Sequence, residues 1–370
     1  MKLAIVHDYL NQYGGAERVV ETLHALFPDA PIFTSIFIPE KLPSVFSTMD
    51  IRPSFMQRLP LLDRHFKKYL LLYPSAMERF DLRGYDVILS SSSAFAKGIR
   101  VPKGVRHVCY CYTPMRFVWE AESYLAKEGL NPLYKIILPG ALSYLKRWDL
   151  ATAARVDRFI GISKHICDRI ERVYRRRADL IYPPVDLARF SISDRLENYF
   201  LIVSRLNPYK RIDLVVEAFN RLGLPLLIIG SGPHEAVLRK QAKKNITFLG
   251  RVSEEALATY LSGCRAFLFP GEEDFGIAPV EAMASGRPVI AYGRGGALET
   301  VLEGVTGLFF QKQSPEDLID AVRRFESMEF DPQKIRAHAG QFGQEIFKAK
   351  MRSYLSENID LGDPDHNARG

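Results

Sequence analysis

Four cysteines in 370 residues, at positions 109, 111, 167 and 264, are too few and too scattered for a disulfide framework. Their scarcity excludes a small disulfide-stapled secreted scaffold and fits reduced thiols in a cytoplasm. Cys109 and Cys111 form a C-x-C, but no second Cys/His pair at zinc spacing accompanies them. Alternate strand residues share a face, so the pair reads as buried core thiols. No segment reaches the roughly 18 uninterrupted apolar residues that a membrane-spanning helix needs. The opening MKLAIVHDYL lacks a cleavage-type small-residue pattern and reads as a first strand, not a signal peptide. No G-x-G-x-x-G occurs either. Gly14-Gly15 stands alone, and Gly230-Ser231-Gly232-Pro233 lacks both the third glycine and the acid expected about 20 residues on. A dinucleotide dehydrogenase is therefore disfavoured. The one D-x-D is Asp363-Pro364-Asp365, so no metal is required. Internal repeats and low-complexity blocks are absent.

What is present is an ordinary globular composition, 47% apolar and 25% charged, which argues against disorder, collagen and coiled coil. The length suits two domains. The formal charge of +7 is unevenly placed: residues 1–200 hold 29 basic and 21 acidic side chains, net +8, and residues 201–370 hold 21 and 22, net −1. The basic half is expected to meet something acidic, whether a phosphorylated ligand, a nucleic acid or an anionic membrane surface.

Short β-branched or apolar runs alternate with helical patterns: LAIVH then AERVVETLHALF, VDRFIGIS then KHICDRIERVY, YFLIVSRL then RIDLVVEAFNRL, PLLIIGSG then PHEAVLRKQA. Strands of four to six residues between helices of about ten predict α/β architecture, with parallel sheets built from βαβ units. The alternation stalls at Tyr182-Pro183-Pro184, where two prolines forbid regular ladder or helix, and resumes near Tyr199. This predicts a first domain over 1–181, a hinge over 182–198, a second domain over 199–339, a last helix over 340–358 and a polar tail over 359–370.

Three places carry candidate chemistry. Gly14 and Gly15 join the first strand to a helix, where a backbone can approach a phosphate; a tight structural turn explains them equally well. Arg205 and Lys210 stand five residues apart at a strand's carboxyl end. Asn207 is expected to cap, and Pro208 to open, the next helix, so that the two cations can close on a diphosphate. In residues 269–286, Glu273 leaves a buried strand, Phe275-Gly276 turns tightly, and Glu281 lies early in the following helix. Free amides at Phe275, Gly276 and Ile277 with a carboxylate on either side suit a sugar nucleotide: acceptors for ring hydroxyls, donors for phosphate oxygens.

Glu273 and Glu281 form E-x7-E inside EDFGIAPVEAMASGRPVIA. That stretch resembles the signature of the retaining GT-B glycosyltransferases of the group 1 type, glycosyltransferase family 4. ISKHICDRIERVY, IYPPVDLARF, VSRLNPYKRIDLVVEAF, ITFLGRVSEEAL and GGALETVLEGVTGLFF fit it too, tightly over about 155–310 and more loosely before. The EDFGI spelling and CYTPMRFVWE look most like bacterial mannosyltransferases that build O-antigen or capsule chains. The resemblance implies two Rossmann-like, doubly wound domains facing a cleft, with the C-terminal helix crossing back to the first. It implies that Arg205 and Lys210 hold the donor diphosphate, and that Glu273 binds donor-sugar hydroxyls. Amides near Phe275 and Gly276 would seat sugar and phosphate, Glu281 would bind the ribose, and Gly232, Arg251 and Val252 would border the nucleotide. Gly14 and Gly15 would cover the pyrophosphate. Many relatives carry a histidine where this chain has Tyr112, before Thr113-Pro114. Tyr112 either donates a hydrogen bond to the donor sugar or is a core or rim tyrosine. Arg116 is an acceptor-side or phosphate contact.

The expectation is a retaining transferase moving a hexose, mannose from GDP-mannose, onto a lipid-linked saccharide for a cell-surface polysaccharide. A donor such as UDP-hexose or TDP-rhamnose is an alternative, as is a catalytically weak sugar-nucleotide-binding or scaffold subunit. No cofactor is called for, and nucleic acid is the least expected partner because no aromatic-plus-basic RNA motif occurs. In residues 55–73, Arg58, Arg64, Lys67 and Lys68 interleave with large apolar residues. This reads either as a segment lying in an anionic interface, placing the protein peripherally on the inner face of the cell membrane, or as a domain helix with a solvated basic face.

Overall fold

A computed structural model describes residues 2–120 and 132–360, so most of the expected tail lies outside the described residues. The chain divides into two compact units, Met1–Pro184 with Phe347–Gly370, and Val185–Ile346. The boundary falls directly after the two prolines.

The N-terminal unit is built on a seven-stranded sheet in the order β3-β2-β1-β4-β5-β6-β7, every neighbouring pair parallel. Its strands are Leu3–His7 (β1), Ile32–Thr34 (β2), Ile51–Pro53 (β3), Val87–Ser92 (β4), Arg106–Cys111 (β5), Arg158–Gly161 (β6) and Ala178–Leu180 (β7). β1 and β4 are buried at every position, as strands covered on both faces are, which is why the run before His7, LAIV, is wholly apolar. Cys109 and Cys111 are buried free thiols in β5. Burial pushes the Cys111 thiol well up. The last helix, Gln344–Asp360, packs on this unit: Phe347 lies edge-on to Tyr110 with ring centroids 5.7 Å apart, and Tyr354 donates to Asp179 at 2.6 Å.

The C-terminal unit holds a six-stranded parallel sheet, β10-β9-β8-β11-β12-β13. Its strands are Phe200–Val203 (β8), Leu226–Ile229 (β9), Ile246–Gly250 (β10), Phe267–Phe269 (β11), Val289–Tyr292 (β12) and Gly307–Phe310 (β13). Phe200, Ile202, Phe219, Leu268, Val322 and Phe310 belong to one continuous core. Strand order reverses between β1 and β4 in the first unit and between β8 and β11 in the second. At such a reversal the connecting helices diverge to opposite faces, and ligands bind outside the strands' carboxyl ends.

The 55–73 segment is not one helix. It breaks into Phe55–Arg58, Leu62–His65 and Phe66–Leu72. Pro60 holds Leu59 extended, Leu61 adopts a left-handed φ of 50°, and Tyr69 leaves helical geometry. Phe55, Leu61, Leu71 and Leu72 are exposed, Leu61 at 61%, beside exposed Arg58, Arg64, Lys67 and Lys68.

Candidate functional site

In the C-terminal unit the loops after β8, β9 and β10 are laced by their own backbones. Leu206 donates to the Ser231 carbonyl (3.0 Å), His234 to Leu206 (3.0 Å) and Gly230 to Gly250 (2.7 Å). Gly232 is required by this closeness, since a Cβ there would lie 2.5 Å from the Leu206 carbonyl oxygen. Arg251, in the loop after β10 beside Val252, donates from Nε to Ser231 Oγ at 3.1 Å. Arg205 is exposed, and its guanidinium has no ion-pair partner among the described residues.

Past Arg205 the chain departs from expectation. Asn207 is extended and makes no side-chain cap, and Pro208–Lys210 forms a single 3-10 turn. Arg211 then takes a left-handed φ of 54°, so the helix begins only at Ile212–Leu222. The turn matters because it aims Lys210 sideways, across the sheet's switch point, where Nζ forms an ion pair with Glu273 Oε1. The two side chains are 12% and 25% exposed, and Nζ lies 5.2 Å from the Tyr209 ring centroid. Two residues read as separate donor contacts are thus joined.

The loop bearing Glu273 runs from β11 to the helix Ile277–Ala284. Gly276 precedes that helix at a φ of 91°, and a Cβ there would meet the Phe269 ring at 2.9 Å. A glycine offers no side-chain cap, so among the described residues the helix opens on the amides of Ile277 and Ala278 without a capping side chain, and Pro279 has no amide hydrogen. Phe275 is buried edge-on to Phe342, with ring centroids 5.5 Å apart. Glu281, one turn further on, is 5% exposed. The turn at Gly295-Gly296 supports the loop from behind. The Gly296 amide donates to the Glu273 carbonyl at 2.8 Å, and a Cβ at position 296 would sit 2.3 Å from Phe275 Cα. The two glycines have no side chain to advertise this role.

The N-terminal unit's switch point is built differently. Gly14 caps the helix Gly15–Leu26 in extended conformation, and Glu17 reaches back to accept its amide at 2.8 Å. Glu17 Oε1 lies 4.0 Å from His7 Nε2. His7 Nδ1 contacts Ser91 Oγ (3.0 Å) and the Ser91 carbonyl (3.2 Å). A carbonyl only accepts, so Nδ1 carries the proton. Tyr112 donates its single hydroxyl proton to the Ala16 carbonyl at 3.1 Å and shares a 2.8 Å bond with Ser91 Oγ. Burial pushes the phenol well up. The geometry therefore leaves Tyr112 no second proton for a ligand, because the first turn of the helix takes it. Asp8, buried at the end of β1, accepts the amides of Ser93 (2.5 Å), Ala94 (3.0 Å), Phe95 (2.7 Å) and Ala96 (2.6 Å). Arg116 opens the short helix Arg116–Trp119 and lies 3.8 Å from Glu120. Glu120 also pairs with Arg169, which donates to Thr113 Oγ1 at 3.1 Å. Sequence reasoning did not single out Asp8, Arg169 or Arg211: each reads as one charge among many until its partners are seen.

Two family models match the chain, Glycosyltransferase Family 4 over residues 13–189 and Glycosyl transferases group 1 over 188–345. An uncharacterised glycosyltransferase of Methanocaldococcus jannaschii is 29% identical over 52% of this chain and 55% of its own. The O-antigen chain mannosyltransferase C of Escherichia coli is 27% identical over 41% and 43%. A GDP-mannose-dependent phosphatidylinositol monomannoside mannosyltransferase of Mycobacterium tuberculosis is 32% identical over 50% and 56%. The chain thus spans about half the length of the curated relatives it matches. Among solved structures, sucrose-phosphate synthase from Thermosynechococcus elongatus superposes with a TM-score of 0.74 at 19% identity, over 97% of this chain and 99% of its own. Anabaena HepE in complex with UDP gives 0.72 at 18%, over 96% and 100%. At these identities the likeness speaks for the GT-B fold alone.

Proposed function

The chain belongs to the group 1 glycosyltransferases of family 4, and on that premise we propose that it is a retaining hexosyltransferase. In this reading it moves mannose from GDP-mannose onto a lipid-linked saccharide of a cell-surface polysaccharide. The observation that carries the reading is the Lys210–Glu273 pair at the carboxyl-end switch point of β8 and β11. A cation already held beside a carboxylate can turn to a diphosphate when one arrives, freeing the carboxylate for sugar hydroxyls. Arg205, exposed in the same loop five residues earlier, supplies a second positive charge. As the bond from the sugar's anomeric carbon to the diphosphate oxygen breaks, negative charge grows on the leaving phosphate, where these cations stabilise it. The acceptor hydroxyl attacks the same face and gives its proton to that phosphate, which retains the configuration. No metal is needed for this sequence of events. Glu281 binds the ribose, the amides of Phe275, Gly276 and Ile277 seat the sugar phosphate, and Gly232, Arg251 and Val252 border the base. Mannose and a lipid-linked acceptor are supported by the resemblance of EDFGI and by the mannosyltransferases among the relatives.

Thermal-shift titration with GDP, UDP, TDP and ADP tests the donor, since a ligand that binds only the native state raises its stability by RT ln(1 + [L]/Kd). GDP is expected to give the largest shift; a larger shift with UDP, the nucleotide held by Anabaena HepE, would replace mannose in the reading. A Lys210→Ala variant is expected to lose transfer by about 10²–10³-fold, and undiminished transfer would end the assignment.

The exposed cations and apolar side chains of residues 55–72 are the surface by which the protein rests on an anionic membrane, on its cytoplasmic face. Cosedimentation with phosphatidylglycerol vesicles but not phosphatidylcholine vesicles is expected. Equal pelleting of a variant with Arg58, Arg64, Lys67 and Lys68 changed to Ser would refute that surface.

A further inference from the structure

Gln313 lies in the loop between β13 and the helix Pro315–Glu326. That loop is braced: Asp317 Oδ2 accepts the amides of Gln311 (2.6 Å) and Lys312 (2.8 Å), and Ser314 Oγ caps the helix through the Asp317 amide (3.3 Å). From this fixed base the Gln313 side chain bridges two other loops. Its Oε1 accepts from Arg211 Nη1 at 3.2 Å, and its Nε2 donates to the Pro270 carbonyl at 2.9 Å. The partners settle which end is which, because a guanidinium only donates and a carbonyl only accepts. Arg211 directly follows Lys210, and Pro270 stands three residues before Glu273. The two loops also meet directly, since a Cβ on Gly271 would come within 3.3 Å of Lys210 Cα.

We propose that Gln313 is a positioning residue for the donor site: among the described residues it hydrogen-bonds to neither Lys210 nor Glu273, but its amide clasps the two loops that bring them together. Only a primary amide of this length serves both ends. A glutamate accepts from Arg211 but sets its charge against the Pro270 carbonyl, and a methionine fills the space with no hydrogen bond at either end. The left-handed backbone at Arg211 makes the clasp consequential. That conformation is strained for a side-chain-bearing residue, and among the described residues the Arg211 guanidinium is held by Gln313 and by Asp213 at 3.3 Å. The proposal rests on the reading of Lys210 and Glu273 as donor contacts.

The test compares the full-length wild type with Gln313→Met, Gln313→Glu, Arg211→Met and the Gln313→Met/Arg211→Met double variant. Donor KM, acceptor KM, kcat and the thermal shift with GDP are measured for each. Gln313→Met is expected to lower kcat by about tenfold, the scale of a sub-ångström misplacement, and to raise donor KM while acceptor KM stays within twofold. Gln313→Glu should be at least as impaired, and the double variant no worse than the poorer single, because both substitutions open one clasp. Gln313→Met with kcat and donor KM within twofold of wild type overturns the proposal. So does a loss that raises donor and acceptor KM together in step with a falling melting midpoint, which is what a merely structural role would give. A wild type that neither binds GDP, UDP, TDP or ADP nor transfers sugar sinks the donor reading and this proposal together. A wild type that binds, beside a Gln313→Met that binds equally, sinks the proposal alone.

Discussion

The two switch points use polar residues in opposite ways. In the N-terminal unit Asp8, Glu17, His7, Ser91 and Tyr112 are consumed by one another and by backbone: four amides on Asp8, one on Glu17, a carbonyl under Tyr112. In the C-terminal unit Lys210 and Glu273 hold each other at partial exposure, and Arg205 stands in solvent. A buried carboxylate with satisfied partners fixes backbone and has nothing left to give; an ion pair that reaches the surface can exchange its partner for a charged ligand. One set of charges builds, and in the proposed reading the other set binds.

The sharpest challenge to that contrast is truncation on each side. Asp8→Ala leaves four buried amides without an acceptor, at about 1–3 kcal/mol for each such group and with partial relaxation, so a loss of about 3–5 kcal/mol is expected. Asp8→Asn should be nearly as damaging, because its NH₂ faces amides that need an acceptor. Lys210→Ala leaves the mostly buried Glu273 carboxylate unpaired and should cost about 1–2 kcal/mol of stability while removing donor binding. Urea denaturation of the three variants decides it, and similar stability losses at positions 8 and 210 would erase the distinction.

A smaller effect is expected from acid. His107, in β5, is buried with its Nε2 2.8 Å from Ser90 Oγ, and its Nδ1 has no hydrogen-bond partner among the described residues. Burial, with Lys97 and Arg155 nearby, depresses its pKa from 6.5 to about 3. Between those values the unfolded chain binds the proton and the folded chain does not, so stability rises with pH. The contribution present above pH 6.5 is lost on acidification at about 1.4 kcal/mol per pH unit, about 2 kcal/mol by pH 5. The melting midpoint should fall accordingly between pH 7 and 5, and a His107→Gln variant should flatten that part of the profile. An unchanged slope in the variant would assign the acid sensitivity elsewhere.

How much of this could be read from the sequence depends on what carries the information. The parallel sheets follow from local pattern, because a strand buried on both faces is mostly apolar, and LAIV and FLIV declare themselves. Glu273, Lys210 and Glu281 stand in motifs whose spelling marks them. Their pairing does not, because it depends on the 3-10 turn at Pro208–Lys210 and the left-handed Arg211, and Asn-Pro alone suggests a helix start. Gln313 is invisible for a related reason: a glutamine in a polar loop has no periodicity, and its role exists only once β11 and β13 stand two strands apart. The 55–73 segment shows the reverse, since of its two readings, an interfacial segment or a domain helix, the continuous helix is interrupted at Pro60 and Leu61.

Tyr112 gives the finest test of the contrast, because its sequence position pointed toward the donor and its geometry points inward. Its hydroxyl proton goes to the Ala16 carbonyl, and that bond couples β5 to the first turn of the helix behind Gly14 and Gly15. Tyr112→Phe keeps the ring and its 5.5 Å edge-on contact with Tyr110 while removing only the hydroxyl. If the hydroxyl builds, the variant loses about 1 kcal/mol of stability and keeps donor KM and nucleotide preference. If the hydroxyl binds, stability barely moves and donor KM rises. The second result would carry the N-terminal network into the chemistry, and the division between a switch point that builds and one that binds would no longer hold.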